Sequence, residues 1–217
     1  MPTVRLYFDP ISPYAWLAMH DLGRLTEAGV TLDWAPVLFA GLLEAHGNIG
    51  PAEIPVKRRY LARDIAREAA RRGLPFVGPP GHPFNSLLPL RMCTAMDDGA
   101  GRAQLALALT AACWERGVDI SDGAAARAVA DGAGFDGERL FGLAQSADIK
   151  ARLAAATAQA AADGVFGVPT FRIDSDTELF WGADRIEALL WRLQGHAIDE
   201  AAVDAFLAAA PLAVRRR

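Results

Sequence analysis

Phe8-Asp9-Pro10-Ile11-Ser12-Pro13-Tyr14-Ala15-Trp16 joins an alternating run to an amphipathic one. Before it, Val4, Leu6 and Phe8 alternate with Arg5 and Tyr7, the period of a strand. After it, Tyr14, Ala18, Leu22 and Leu25 fall on one helical stripe, with Pro13 suited to the first helical position and Gly29 to the stop. A hydroxyl, Ser12, therefore stands where a strand ends and a helix begins. Backbone N–H groups point outward there and the helix dipole favours negative charge, so Ser12 is placed to steady an anion. Its plainer role is a helix N-cap. Val30, Leu32 and Trp34 alternate with Thr31 and Asp33 as a second strand. Strand, helix and strand within the first 37 residues imply a βαβ unit with parallel strands.

The middle of the chain changes character. From Phe39 to about Asp163 the patterns are helical: Leu38 to Ala45, Pro55 to Arg72, Asn85 to Met96, Arg102 to Arg116, Ser121 to Ala130, Asp136 to Ala144 and Ser146 to Asp163. Tyr60, Leu61, Ile65 and Ala69 form an inward stripe, and Ser121 and Ser146 read as N-caps. Asn48-Ile49-Gly50-Pro51 and the stretch from Leu74 to Pro83 are loops. Sheet then returns. Pro169 to Ile173 and Glu178 to Trp181 make a hairpin around Asp174-Ser175-Asp176, Asp184 caps a helix carrying Ile186, Leu189, Leu190 and Leu193, and a last helix covers Asp199 to Ala209 before a loose arginine tail at 215–217. The order is βαβ, helices, ββα: an α/β fold in which residues 1–38 and 164–217 form one discontinuous sheet domain and residues 39–163 a helical insertion.

Bulk properties narrow the function. At 217 residues with 52% apolar content the chain can bury a large core. A net charge of −4 speaks against a nucleic-acid binder, which needs a basic surface. Cys93 and Cys113 form no CxxC and are expected to be buried. His20, His46, His82 and His196 have no ligand spacing, so no metal is expected. No G-x-S-x-G elbow is present, which disfavours a serine hydrolase. Arg59, Arg63, Arg67 and Arg71, interleaved with Asp64 and Glu68, read as a solvated helix face. With no signal-peptide pattern and no membrane-spanning run, the expected address is cytoplasmic.

Gly167-Val168-Pro169-Thr170 would meet the Ser12 turn if the two ends of the chain share a sheet. Pro169 is either an ordinary strand-entry proline or a cis proline that leaves the preceding backbone free to bind something extended. This arrangement resembles a thioredoxin fold with an all-helical insertion, as in the DsbA-like group. The Cys-x-x-Cys slot of that group reads Ser12-Pro13-Tyr14-Ala15 here, so no thiolate exists for dithiol exchange. A closer resemblance is to 2-hydroxychromene-2-carboxylate isomerases and kappa-class glutathione transferases. It is carried by Phe8 to Tyr14, Gly47 to Pro51, Lys57 with Tyr60-Leu61, Val165 to Thr170, and Trp181-Gly182-Ala183-Asp184-Arg185, five pieces in order over nearly the whole chain.

That resemblance implies a glutathione site. Ser12 would hold the sulfur, and the backbone of Val168, before Pro169, would pair with the cysteinyl part. Trp181, Gly182, Ala183, Asp184 and Arg185 would hold the γ-glutamyl end, with Asp184 reaching its ammonium. A free thiol is only a few per cent ionised at neutral pH, and a hydroxyl donor favours the thiolate. The resemblance also implies a small aromatic substrate, a homodimer, and metal-free isomerisation by reversible thiolate addition. Asn48, Lys57 and Asn85 are the substrate-side candidates. The family pattern expects a lysine near Leu43 and an asparagine near Glu53, and the chain has neither. The competing functions are a kappa-like transferase and a non-catalytic thioredoxin-fold binding protein using the groove beside Val168.

Overall fold

A computed structural model describes residues 1–174 and 176–209; the expected Ser175 position in the hairpin turn and the arginine tail lie outside them. Strands β1 (Thr3–Phe8), β2 (Thr31–Pro36), β3 (Thr170–Ile173) and β4 (Leu179–Trp181) form one sheet in the order β2-β1-β3-β4. β1 pairs parallel with β2, from Thr3 opposite Thr31 to Phe8 opposite Pro36. It pairs antiparallel with β3, and β3 with β4, giving the expected βαβ and hairpin.

Between β1 and β2 lie α1 (Pro13–Met19) and α2 (Gly23–Glu27). Seven helices fill the span from β2 to β3: α3 (Phe39–Ala45), α4 (Pro55–Arg72), α5 (Leu87–Thr94), α6 (Gly99–Arg116), α7 (Gly123–Gly132), α8 (Gly137–Ala144) and α9 (Ala147–Ala162). α10 (Ile186–Leu193) and α11 (Glu200–Ala208) follow β4. Both faces of the sheet are covered. Val4, Leu6 and Phe8 join the main core with Trp16, Leu17, Leu105 and Leu109, while Tyr7 packs with Val37, Leu42 and Val165 beneath α3 and α9. β1 is thus buried on both sides, as central strands of such sheets are.

Several local readings change. The stripe from Tyr14 to Leu25 is two helices, not one. The chain turns at residues 20–22, and Arg72 on α4 donates to the freed Leu17 carbonyl (3.2 Å) and to Asp21 (2.6 Å). Tyr60 is exposed rather than inward, because the buried stripe of α4 is Leu61, Ile65 and Ala69 alone. α6 starts before Arg102, at Gly99, because the Asp98 carboxylate accepts from Ala100 and Gly101 N–H. Ser146 caps α9 as expected. Ser121 does not cap α7; its hydroxyl donates to Asp119, and Asp122 accepts from Ala125 N–H instead. Asp184 makes no capping bond to α10, since a 3-10 turn over Ala183–Arg185 intervenes.

Candidate active site

The Ser12 turn is held at every backbone group that could wander. Ser12 N–H donates to the Asp9 carbonyl (3.0 Å), Trp114 Nε1 to the Pro10 carbonyl (2.9 Å), and His82 Nε2 lies 3.0 Å from the Ile11 carbonyl. The Asp9 carboxylate is fully buried and accepts from Ile11 N–H, Phe39 N–H and the Ser86 hydroxyl. Desolvation pushes its pKa up to about 6, against the three hydrogen bonds that favour the charge. Ser12 is 8% exposed. Its hydroxyl caps α1 by accepting from Ala15 N–H (3.2 Å) and donates to the Val168 carbonyl (3.1 Å). N-cap and candidate anion holder are therefore the same atom. α1 is only two turns long, so the hydroxyl, more than the macrodipole, sets the local preference for an anion.

The Val168–Pro169 bond is cis. Val168 N–H has no backbone or side-chain acceptor among the described residues. Pro169 carbonyl accepts from Gly182 N–H (2.9 Å), which draws Trp181 to Arg185 alongside. Trp181 packs edge-on to Phe166 at 4.8 Å between ring centres, and its indole covers Gly167 so closely that a Cβ there would lie 2.6 Å from Nε1. Gly182 has φ +121°, which only glycine takes easily. Asp184 and Arg185 are exposed and 3.2 Å apart.

A cleft of about 930 Å³ opens against this wall, within the range of small-ligand sites. α4 supplies its other side with Tyr60, Asp64, Glu68 and Arg71. Tyr14 donates to Asp64 (2.9 Å), and Arg72 ties α4 to Asp21, so the two walls are pinned along α1. Burial and the neighbouring Asp64 carboxylate raise the Tyr14 pKa, which keeps it a neutral hydroxyl.

Val168, Pro169 and Trp181 to Arg185, all named from sequence, line this cleft. Ser12 lies at its margin, joined through Val168. Asn48, Lys57 and Asn85 are exposed and outside the lining; Asn85 Oδ1 accepts from Leu87 N–H, a local turn. Tyr14, Asp64 and Glu68 were missed as lining residues. Their signal was the spacing of Tyr60, Asp64 and Arg71 on one face, which the neighbouring arginine repeat obscured. Burial pushes Cys93 and Cys113 up to about 12, so neither is a ready thiolate.

The fold and the cis-proline wall define a class. The family model of the DSBA-like thioredoxin domain matches residues 3–194, and the chain belongs to that family. A 2-hydroxychromene-2-carboxylate isomerase of Sphingobium xenophagum is 31% identical over 86% of this chain and 95% of its own. Glutathione S-transferase kappa 1 of Homo sapiens is 28% identical over 86% and 88%. A solved 2-hydroxychromene-2-carboxylate isomerase structure superposes with a TM-score of 0.80 at 28% identity, covering 88% of this chain and 94% of that one. Within the DsbA-like class, this chain is a member of the 2-hydroxychromene-2-carboxylate isomerase family, related to the kappa-class transferases.

Proposed function

We propose that the protein is a glutathione-dependent isomerase of 2-hydroxychromene-2-carboxylate or a related conjugated aromatic acid. The observation that carries this is the Ser12 hydroxyl bonded to the carbonyl of Val168, whose N–H has no acceptor among the described residues and which lines a cleft large enough for a tripeptide. The hemiketal ring would first open, its C–O bond breaking to leave a ketone and a phenol; the thiolate of bound glutathione would then add reversibly to the conjugated double bond, leaving a single bond that rotates before elimination of the thiolate restores the double bond. Ser12 would turn its hydroxyl from the Val168 carbonyl to the sulfur, stabilising negative charge there. Val168 would then offer both its carbonyl and its N–H to the cysteinyl backbone. Asp184 would receive the γ-glutamyl ammonium, with Trp181, Gly182, Ala183 and Arg185 around it.

The substrate would enter from the insertion side. Tyr14 faces Asp64, and Leu17 and Asp21 face Arg72, so α1 and α4 run in the same direction. Lys57, one turn before Tyr60, therefore stands past the Ser12 end of the cleft. It makes no ion pair among the described residues and is the cation we assign to a substrate carboxylate, with Asn48 and Asn85 proposed as further polar groups for the substrate. Leu43 and Glu53 replace the residues expected there, which favours a relative of the chromene acid over the acid itself. Glu53 Oε1 is already engaged, accepting from Gly50 N–H at 2.8 Å.

The test is turnover of 2-hydroxychromene-2-carboxylate followed by absorbance, with and without glutathione. Glutathione-dependent loss of the cis form without consumption of thiol supports the isomerase. Formation of a conjugate would place the chain with the kappa-like transferases, and no binding of glutathione at millimolar concentration would leave only the non-catalytic binding protein. A homodimer is the assembly we infer from the same family; sedimentation at several concentrations tests it.

A further inference from the structure

Asp9 is the one fully buried carboxylate among the described residues. Its two oxygens accept from three segments far apart in sequence: Oδ1 from Ile11 N–H (3.0 Å) in the Ser12 turn, and Oδ2 from Phe39 N–H (3.0 Å) at the start of α3 and the Ser86 hydroxyl (2.9 Å) at the start of α5. No lysine or arginine forms an ion pair with it among the described residues. The titratable groups around it are Cys93 on α5, Cys113 on α6 and, across the turn, His82. Both cysteines feel the Asp9 charge, and burial holds both as thiols. His82 lies against the Ile11 carbonyl, and burial lowers its pKa. Arg102 on α6 acts on Cys93, with its guanidinium spent on the Cys93, Trp34 and Met96 carbonyls, and Arg58 on α4 acts on His82.

We propose that Asp9 is a positioning residue for the isomerase site, its ionised carboxylate clamping the Ser12 turn to the openings of α3 and α5. The proposal rests on the Ser12 role given above. An ionised carboxylate only accepts, and all three of its partners donate to it. Two of those donors are backbone N–H groups that cannot reverse. A proton on the carboxyl can be accepted only by the Ser86 hydroxyl, so that bond must reverse, and the two N–H groups lose their charge-assisted acceptor and are held less tightly. The turn is linked to the sulfur-holding hydroxyl by the Ser12 N–H bond to the Asp9 carbonyl, while α3 leads into the Asn48 loop and α4. One proton on Asp9 therefore loosens the Ser12 hydroxyl and the substrate-side wall together. The free Asp9 has a pKa well below neutrality, and burial brings its titration to about 6, inside the working range of an enzyme.

Amide NMR on the ligand-free, full-length protein tests the clamp without glutathione. Between pH 8 and 5 the Ser12, Ile11 and Phe39 amides should shift with one common midpoint. Ser86→Ala removes a donor to the ionised form and should raise that midpoint by about one unit. Asp9→Asn should abolish the shared transition; if that variant does not fold, Ser86→Ala decides alone. Separate midpoints, or a midpoint that Ser86→Ala leaves in place, overturn the proposal. The second arm is ultraviolet absorbance of bound glutathione thiolate. Its loss at low pH should begin at a higher pH in Ser86→Ala, and an unmoved acid limb overturns the link to Ser12. A wild type with shared amide midpoints but no thiolate band supports the clamp and refutes the glutathione function.

Discussion

The wall carrying Ser12, Val168 and Pro169 is buried and tied down by bonds to four other segments; the wall carrying α4 is a row of side chains that mostly pair with one another at the surface. Arg71 meets Glu68 at 2.8 Å and Arg67 meets Asp64 at 2.9 Å, all on one helix. Exposed pairs of this kind are worth about 0–1 kcal/mol each and exchange partners readily. Truncating the fixed wall should change chemistry, because an oxyanion-type donor works through placement. Truncating the adjustable wall should change only which molecule is held.

Ser12→Ala should reduce turnover by roughly 10²–10³-fold, the scale of a lost oxyanion-type donor. Steady-state rates at saturating glutathione check it, and a loss of only a few-fold would make the two walls equivalent. Next is stability against pH. The folded pKa of Asp9, about 6, lies above its ordinary 3.8. A raised pKa contributes stability that is full below the ordinary value and is lost as pH rises through the folded one. Between pH 4 and 7 this group should therefore cost about 2 kcal/mol. Denaturant titrations should show that fall in the wild type and not in Asp9→Asn. A clamp that destabilises the fold at neutral pH is the behaviour expected of a residue kept for a site.

Smaller effects follow at the rim. Trp181→Ala removes the ring that packs on Phe166 and Gly167, and calorimetry should show glutathione binding weakened by about tenfold, or ~1.4 kcal/mol. Lys57→Ala should raise the KM of a carboxylate substrate roughly threefold, as an exposed charge allows, and leave glutathione affinity unchanged. The reverse pattern would move Lys57 to the cofactor side.

Much of this was legible in the sequence because period-two and helical stripes reflect burial directly. β1, β2 and the hairpin fall where Val4 to Phe8, Val30 to Trp34 and Pro169 to Trp181 place them. The wall of Val168, Pro169 and Trp181 to Arg185 was legible because its residues are contiguous in two short stretches. The α4 wall was not, since Tyr60 is apolar enough to read as core and only the turn of α1 at residues 20–22 shows where α4 docks. Asp9 was hidden for a different reason. A polar residue next to proline reads as a loop, and two donors from distant segments, Phe39 N–H and the Ser86 hydroxyl, leave no trace in local pattern.

If Ser12 holds a glutathione thiolate, losing its hydroxyl removes the charge from the sulfur. Ultraviolet difference absorbance of glutathione with the wild type and with Ser12→Ala, at neutral pH and saturating ligand, tests it most directly. A thiolate band near-stoichiometric with wild-type protein and absent from Ser12→Ala is the predicted result. Equal bands in the two proteins, or none in either, would contradict it.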